Sequence, residues 1–233
     1  MTQTTAAPQQ GKQRNLVWRT IQFVLQIVFG LWLRYRSKNK QNLTDLEGAL
    51  LLVNHQSFLD PLLVGLPLQR PVSFLARDSL FRIPVISWIM RKTYVIPISR
   101  SAASTESMRK AIDRIQQGYL VGIFPEGTRC TDGSIGEIKP GFISLIRRAK
   151  CPVVPIGIEN AYNAYTKGAK LLRPAPVAVS FGPPLDPERL KELAARGRED
   201  ELLAWIREEL LEQQLLARQQ LPTSTQNALA DPA

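Results

Sequence analysis

The chain has 233 residues, 44% of them apolar, enough to bury a full core in one domain with a short extension. Its formal net charge of +10 is uneven: Lys and Arg outnumber Asp and Glu by 24 to 11 as far as Asp186, a net +13, and fall behind by 6 to 9 from Pro187 onward. A basic body suits nucleic acid, an anionic membrane surface or a phosphorylated substrate, and without a zinc finger, RNA-binding signature or aromatic-rich basic stripe the pattern argues against nucleic acid.

Residues 1–14 are Gln, Thr and Ala rich with few apolar groups and are expected to be disordered. Asn15 to Arg34 reads as a helix in which Arg19, Gln22, Gln26 and Gly30 recur at intervals of three, four and four, forming one narrow polar stripe. The rest of its surface is apolar, from Leu16 and Trp18 to Trp32 and Leu33. Only 14 residues separate Arg19 from Arg34, short of the roughly 20 needed to cross a bilayer core. The pattern therefore points to a helix lying in the membrane interface or dipping into one leaflet. An interrupting arginine, two glutamines and no small-residue cleavage site set it apart from a signal peptide. Arg34, Arg36, Lys38 and Lys40 follow as a basic linker, suited to anionic headgroups on the cytoplasmic face of a membrane. Burial of the same helix against the main domain is the other reading open here.

The strand-like run Ala49 to Val53 stops at Asn54, and a helix-compatible run, Pro61-Leu62-Leu63-Val64, begins after Asp60. Asn54-His55-Gln56-Ser57-Phe58-Leu59-Asp60 thus occupies a strand-to-helix corner, where α/β proteins gather reactive groups. His55 is the only histidine, so it is the one imidazole able to act as a general base near neutral pH. Asp60 follows five residues later, about 500° round a continuous helix and so on a different face. A turn between the two brings the carboxylate back, where it can fix the imidazole tautomer and leave the other nitrogen to take a proton from a hydroxyl. The structural alternative makes Asp60 a helix cap ahead of an N1 proline and His55 a polar core residue.

Beyond the corner, strand and helix patterns alternate. Val72 to Ala76 reads as a strand, Val85 to Met90 as a helix and Tyr94 to Ile98 as a strand. Met108, Ala111, Ile112 and Ile115 share one helical face, stopped by Gly118. Tyr119 to Phe124 is the next strand, Phe142, Leu145, Ile146 and Ala149 mark a short helix, and Val153 to Ile158 and Val177 to Phe181 are the last strands. This predicts an α/β fold, a mostly parallel or mixed central sheet flanked by helices, with residues 41–186 as the core. Within 187–220, Leu202, Trp205, Ile206 and Leu210 give the stripe of a docking helix, and residues 221–233 are expected to be disordered.

A second constellation, Phe124-Pro125-Glu126-Gly127-Thr128-Arg129, directly follows a strand. Pro125 and Gly127 force an irregular turn that gathers Glu126, Arg129 and exposed amides beyond the strand end. Arg129 offers a planar fork suited to phosphate, as does Arg100 just beyond another strand, and Lys139 adds a third positive charge. Solvated arginines are the commoner alternative, weakened here because three strand ends carry the two arginines and the one histidine. Cys130 lies beside Arg129, which can lower a thiol pKa, but an unreactive thiol is the favoured reading. Cys130 and Cys151 form no C-x-x-C pair and build no zinc site with one histidine, and a reducing compartment suits them.

The Asn54 to Asp60 block, followed about 64 residues later by Phe124 to Arg129, resembles the glycerolipid acyltransferase family, in particular its bacterial 1-acylglycerol-3-phosphate acyltransferases. Tyr94 to Arg100 and Val154-Pro155-Ile156-Gly157 resemble weaker family blocks, and the resemblance covers roughly Leu50 to Phe181. It implies transfer of an acyl chain from acyl-CoA or acyl carrier protein (acyl-ACP) to the free hydroxyl of lysophosphatidate, without a cofactor, a metal or an acyl-enzyme. His55 would be the general base and Asp60 its orienting partner. Arg100, Glu126, Gly127 and Arg129 would shape the acceptor site, both arginines on its phosphate. An N-terminal membrane helix accompanies similar proteins. Two positions depart from the family pattern: Ser99 stands where an aspartate often precedes the arginine, and Cys130 where a serine often follows it. The first change makes the pocket more cationic. Transfer to another lysolipid acceptor and a catalytically silent membrane-binding protein are the competing functions. Ser57 is a poor hydrolase nucleophile, two residues from His55 and outside any G-x-S-x-G elbow.

Overall fold

In a computed structural model, which describes residues 15–82, 84–98, 105–130, 132–166, 168–169 and 171–230, the apolar runs become strands of one sheet. These are β1 (Arg36–Lys38), β2 (Ala49–Val53), β3 (Val72–Arg77), β4 (Ile96–Ile98), β5 (Leu120–Ile123), β6 (Val153–Glu159) and β7 (Ala178–Phe181), in the order β1-β7-β6-β2-β5-β3-β4. From β6 to β4 every neighbouring pair is parallel, whereas β7 runs antiparallel to β6 and β1 parallel to β7. The sheet is therefore mixed, as expected.

The helices are α1 (Leu16–Trp32), α2 (Asp60–Gly65), α3 (Pro84–Lys92), α4 (Thr105–Gln116), α5 (Ile143–Ala149), α6 (Ala161–Ala164), α7 (Pro187–Leu193), α8 (Glu199–Arg218) and α9 (Thr223–Ala230). Because side chains alternate along a strand, the sheet has two apolar faces. Leu50, Leu52, Val121, Ile123 and Val153 pack with Ala111, Leu145, Leu193, Leu202 and Ile206 from α4, α5, α7 and α8. Leu51, Val53, Leu120, Val154, Ile156 and Ile158 pack with Phe29, Leu33, Leu63 and Ala161 from the α1, α2 and α6 side. With both faces covered, β2, β5 and β6 are buried at every residue, which is why they read as unbroken apolar runs. On β6, a Cβ at Gly157 would come within 2.1 Å of the Gln213 backbone, so glycine is what lets α8 lie against the strand.

α1 is held to the body by side-chain hydrogen bonds as well as by apolar packing. The Gln22 side chain donates to the carbonyls of Leu66 (3.0 Å) and Leu68 (2.6 Å), and Gln26 donates to that of Leu66 (2.9 Å). The helix buries Trp18 and Phe29 and ties Gln22 and Gln26 to the protein, while Arg19 and Gly30 of the polar stripe are exposed and Leu16, Phe23, Leu31 and Trp32 are each at least half exposed. No helix among the described residues is long and apolar enough to cross a membrane.

Three expectations need correction. Residues 36–38, read as part of a basic linker, pair with β7, so the sheet begins before residue 41. A three-residue charged edge strand carries no alternation to read, and its charges protect an open sheet edge. Tyr94, expected in β4, instead closes a left-handed turn after α3 with φ 64°. Residues beyond Leu221, expected to be disordered, form α9, and Leu221 is buried beside Ala178 and Ala217. Residues 1–14 and 231–233 lie outside the described residues.

Candidate active site

β2 delivers the chain to the site and Asn54 ends the strand. Its side chain imitates one more rung of the sheet, donating to the Ile158 carbonyl (2.9 Å) and accepting from the Ile158 amide (2.7 Å). The chain then turns before α2 begins at Asp60. Asp60 Oδ2 accepts three hydrogen bonds, from His55 Nδ1 (2.8 Å), Gln56 N (2.7 Å) and Ser57 N (2.8 Å). The carboxylate therefore caps the turn that carries His55, not the helix it starts, and the simple helix-cap reading fails. With Nδ1 facing a carboxylate, the proton belongs on Nδ1 and Nε2 is the basic nitrogen. Nε2 has no hydrogen-bond partner among the described residues, and the imidazole is 18% exposed.

The ring is also held by its faces. His55 stacks on Phe124 at 3.9 Å, and Phe124 stacks on Phe74 at 5.4 Å. Phe74 can lie there because position 122 is glycine: a Cβ on Gly122 would meet the Phe74 ring at 2.3 Å. Burial pushes the Asp60 carboxyl above the ordinary aspartate range, while His55 and the Ser57 and Gln56 amides pull it down. Its Oδ1 is buried and unpartnered among the described residues.

The block after β5 clasps the same corner. Glu126 Oε1 accepts from the His55 amide (2.7 Å) and Oε2 accepts from the Gly136 amide (2.8 Å), while the Cys130 amide donates to the His55 carbonyl (2.8 Å). Both sides of the His55 peptide are thus tied to this block. Glu126 is 2% exposed with both oxygens engaged by backbone amides, so it braces the corner that carries His55. Burial raises its carboxyl above the ordinary glutamate range. Gln56 adds a second brace, donating to the Gly133 carbonyl (2.8 Å) and accepting from the Ala161 amide (3.0 Å), and Gln214 of α8 donates to the same Gly133 carbonyl (2.8 Å).

Gly127, with φ 69°, makes the turn that lets the chain leave the strand end. Beyond it Arg129 and Lys139 line a cleft of about 210 Å³ together with Glu126, Cys130 and Glu137. Neither Arg129 nor Lys139 forms an ion pair with a described carboxylate. Arg100 and Ser99 lie outside the described residues. Burial pushes the Cys130 thiol up to about 11, in keeping with an unreactive thiol, and that of Cys151 to about 11 as well. Sequence reasoning missed the bracing by Asn54, Gln56, Phe124 and Gln214. Its available signal was a polar run, Asn54 to Ser57, straight after a buried strand, since buried polar groups demand partners.

The family model described as Acyltransferase matches residues 34–159. A chloroplastic 1-acyl-sn-glycerol-3-phosphate acyltransferase of Brassica napus is 33% identical over 119 residues, 50% of this chain and 34% of that protein, so the match spans about a third of its length. A 1-acyl-sn-glycerol-3-phosphate acyltransferase of Bacillus subtilis is 26% identical over 177 residues, 75% of this chain and 85% of that protein. The crystal structure of the 1-acyl-sn-glycerophosphate acyltransferase PlsC from Thermotoga maritima shares the fold, with a TM-score of 0.72 at 23% identity over 88% of this chain and 81% of that one. With more than half of its length matched to the family model, the chain belongs to the acyltransferase family.

Proposed function

We propose that the protein transfers a fatty acyl chain from an acyl thioester, acyl-CoA or acyl-ACP, to the free hydroxyl of 1-acylglycerol-3-phosphate (lysophosphatidate), forming phosphatidic acid. The observation that carries this reading is the 2.8 Å contact of His55 Nδ1 with Asp60 Oδ2, which leaves Nε2 open. Nε2 takes the proton of the acceptor hydroxyl as its oxygen attacks the thioester carbonyl carbon. The ester C–O bond forms, the C–S bond breaks, and the proton on Nε2 passes to the departing thiolate. Asp60 stabilises the imidazolium in between. The nucleophile is the substrate's own hydroxyl, so the sequence of steps contains no acyl-enzyme and calls on no metal or prosthetic group.

Arg129 and Lys139, two cations in a cleft whose Glu126 and Cys130 also hold the His55 peptide, suit the acceptor phosphate. Arg100 joins them by the motif it ends. Lysophosphatidate as acceptor is supported by the names of the relatives in plants and Bacillus. The exposed apolar face of α1 supports a membrane surface as the place of work. Its outward apolar residues are joined by Trp88 of α3, 52% exposed, and Asn15 at the start of α1 donates to the Lys92 carbonyl at the end of α3 (2.7 Å). An exposed apolar face of this extent fits an interfacial helix. Arg34, Lys38 and Lys40 suit the anionic cytoplasmic leaflet. In this reading α1 and the basic residues after it meet the membrane, the sheet from β1 to β7 with its loops carries the chemistry, and 187–220 cover the sheet.

The test is thiol release from a long-chain acyl-CoA by detergent-purified protein, with and without lysophosphatidate, beside His55→Ala. Release should require the acceptor and yield phosphatidic acid, and His55→Ala should lower kcat by about 10²–10⁴-fold while folding and membrane binding persist. Near-normal turnover in His55→Ala removes the assigned base. Turnover with another lysolipid alone moves the acceptor. Silence with acyl-CoA, acyl-ACP and every lysolipid leaves a non-catalytic membrane protein.

A further inference from the structure

A second, larger groove, of about 570 Å³, opens at the β4 edge of the sheet. It is lined by Phe81, by Arg91 near the end of α3, by Tyr94, and by Lys110, Asp113 and Arg114 of α4. The Arg114 guanidinium lies over the Tyr119 ring at 4.8 Å and the Tyr94 ring at 5.5 Å, and that of Arg91 lies 5.9 Å from the Phe81 ring. Neither arginine forms an ion pair with a described carboxylate. Lys110 pairs with Glu106 at 2.6 Å, but both side chains are about half exposed or more, so solvent weakens the bond. Asp113 is the one carboxylate among the described lining residues. Aromatic rings, not carboxylates, hold the two arginines in place, and their charge is left for an anion.

The strand register gives the distance to the chemistry. Ile96 pairs with Leu75 on β3, and the neighbouring Phe74 pairs with Gly122, which pairs with Leu51. Ile96 is therefore level with Leu52, three strands away and three residues below His55. Strand spacing and rise put the Ile96 rim of the groove roughly 17 Å from the imidazole, and Arg114, over Tyr94 and Tyr119, lies further towards the strand starts; the pantetheine arm and the diphosphate beyond it cover this reach.

Resting on the acyl-transfer reading above, we propose that this groove receives the phosphorylated adenosine head of coenzyme A, which makes acyl-CoA the donor. Arg91, Lys110 and Arg114 take the 3′-phosphate and the diphosphate. Phe81 and Tyr94 present aromatic surface to the adenine, and Asp113 accepts from the ribose hydroxyl or the exocyclic amine. A lipid phosphate would use the cations but leave the rings and most of the volume idle.

The experiment uses full-length, detergent-purified protein carrying Lys110→Gln and Arg114→Gln together. The KM for acyl-CoA should rise at least about tenfold, while the KM for lysophosphatidate and for acyl-pantetheine, which lacks the nucleotide, stays as in the wild type. Adenosine 3′,5′-bisphosphate should bind the wild type in calorimetry, compete with acyl-CoA, and fail to bind the double variant. An unchanged acyl-CoA KM in an active double variant overturns the proposal, and so does an equal rise for acyl-pantetheine. Loss of binding to phosphatidate vesicles with acyl-CoA kinetics unchanged assigns the groove to a lipid headgroup and also overturns it. Turnover with acyl-ACP alone and no bisphosphate binding overturns it while acyl transfer stands. If no donor is turned over, the functional reading fails by itself, and calorimetry still decides the groove. Lys110→Gln alone, on a half-exposed side chain, gives the same comparison at smaller amplitude should the Arg114 change disturb folding.

Discussion

His55 is held on every side except the one that Nε2 faces. Asp60 fixes Nδ1, Phe124 supports the ring, and Glu126 and Cys130 hold the peptide. In the proposed mechanism Glu126 acts through His55, and removing its bracket should cost orientation more than affinity. Glu126→Gln puts an amide NH₂ against the amide of either His55 or Gly136, so one of the two bonds becomes a clash of donors. The expected result is a kcat lower by on the order of 10²-fold, with the KM values for donor and acceptor nearly unchanged. A raised acceptor KM with kcat preserved would give Glu126 a direct role on the acceptor instead. Arg129→Ala should do the opposite. Loss of a charge-assisted bond of about 1.5–3 kcal/mol raises the lysophosphatidate KM by roughly 10- to 100-fold and leaves the donor KM alone. An acceptor without phosphate that suffers equally would remove the phosphate role. The two motifs were legible in the sequence because residue type and spacing carry them. The brace was not, because Glu126 and His55 are 71 positions apart and only the β2–β5 pairing makes them neighbours.

The elements divide the same way. β2, β5 and β6 could be read directly since burial on both faces leaves unbroken apolar runs. β1 and α9 could not, because each depends on a distant partner: β1 on β7, and the start of α9 on Leu221 packing against Ala178. α8 was visible as an apolar stripe, but its closeness to β6 was not. Gly157→Ala would drive a methyl into the Gln213 backbone and should destabilise by about 3 kcal/mol. Gly141→Ala, where nothing lies within 4 Å, should stay within about 0.5 kcal/mol. Urea midpoints compare the two, and equal midpoints would mean that α8 shifts freely on the sheet. For α1 the stripe was legible, but the hydrogen bonds of Gln22 and Gln26 to the Leu66 carbonyl were not, because they join residues about 40 positions apart. Phe23→Glu with Leu31→Glu changes two side chains that are 63% and 80% exposed. The pair should lower partitioning onto anionic vesicles by at least about tenfold while the urea midpoint holds, each apolar loss being worth about 1.5 kcal/mol or more. A fall in midpoint with vesicle binding intact would mean that this face is covered by protein.

At the scale of the whole molecule, a chain of net charge +10 buries three carboxyls among its described residues, Asp60, Glu126 and Glu159, and burial raises the pKa of each. A carboxyl whose pKa is higher folded than unfolded binds its proton more tightly in the native state. Its contribution to stability is fully present below the ordinary carboxylate range and is lost as the pH rises through the folded value. Asp60 and Glu126 are tied to His55, so Glu159 is where this can be isolated. It lies at the end of β6, 2% exposed, with Arg218 at 3.6 Å and Oε2 unpartnered among the described residues. Arg218 lowers its pKa, but desolvation is the larger influence. Glu159→Gln removes the ionisation and keeps the shape. The stability difference, variant minus wild type, should therefore climb as pH rises from the ordinary glutamate value of 4.5 and level off above the folded value. Growing positive charge at low pH weakens both proteins alike and cancels in the difference. Urea midpoints across that window measure it. A difference that falls with pH would mean that the ion pair with Arg218 outweighs burial, and that the proton leaves Glu159 more easily in the folded protein than in the unfolded chain.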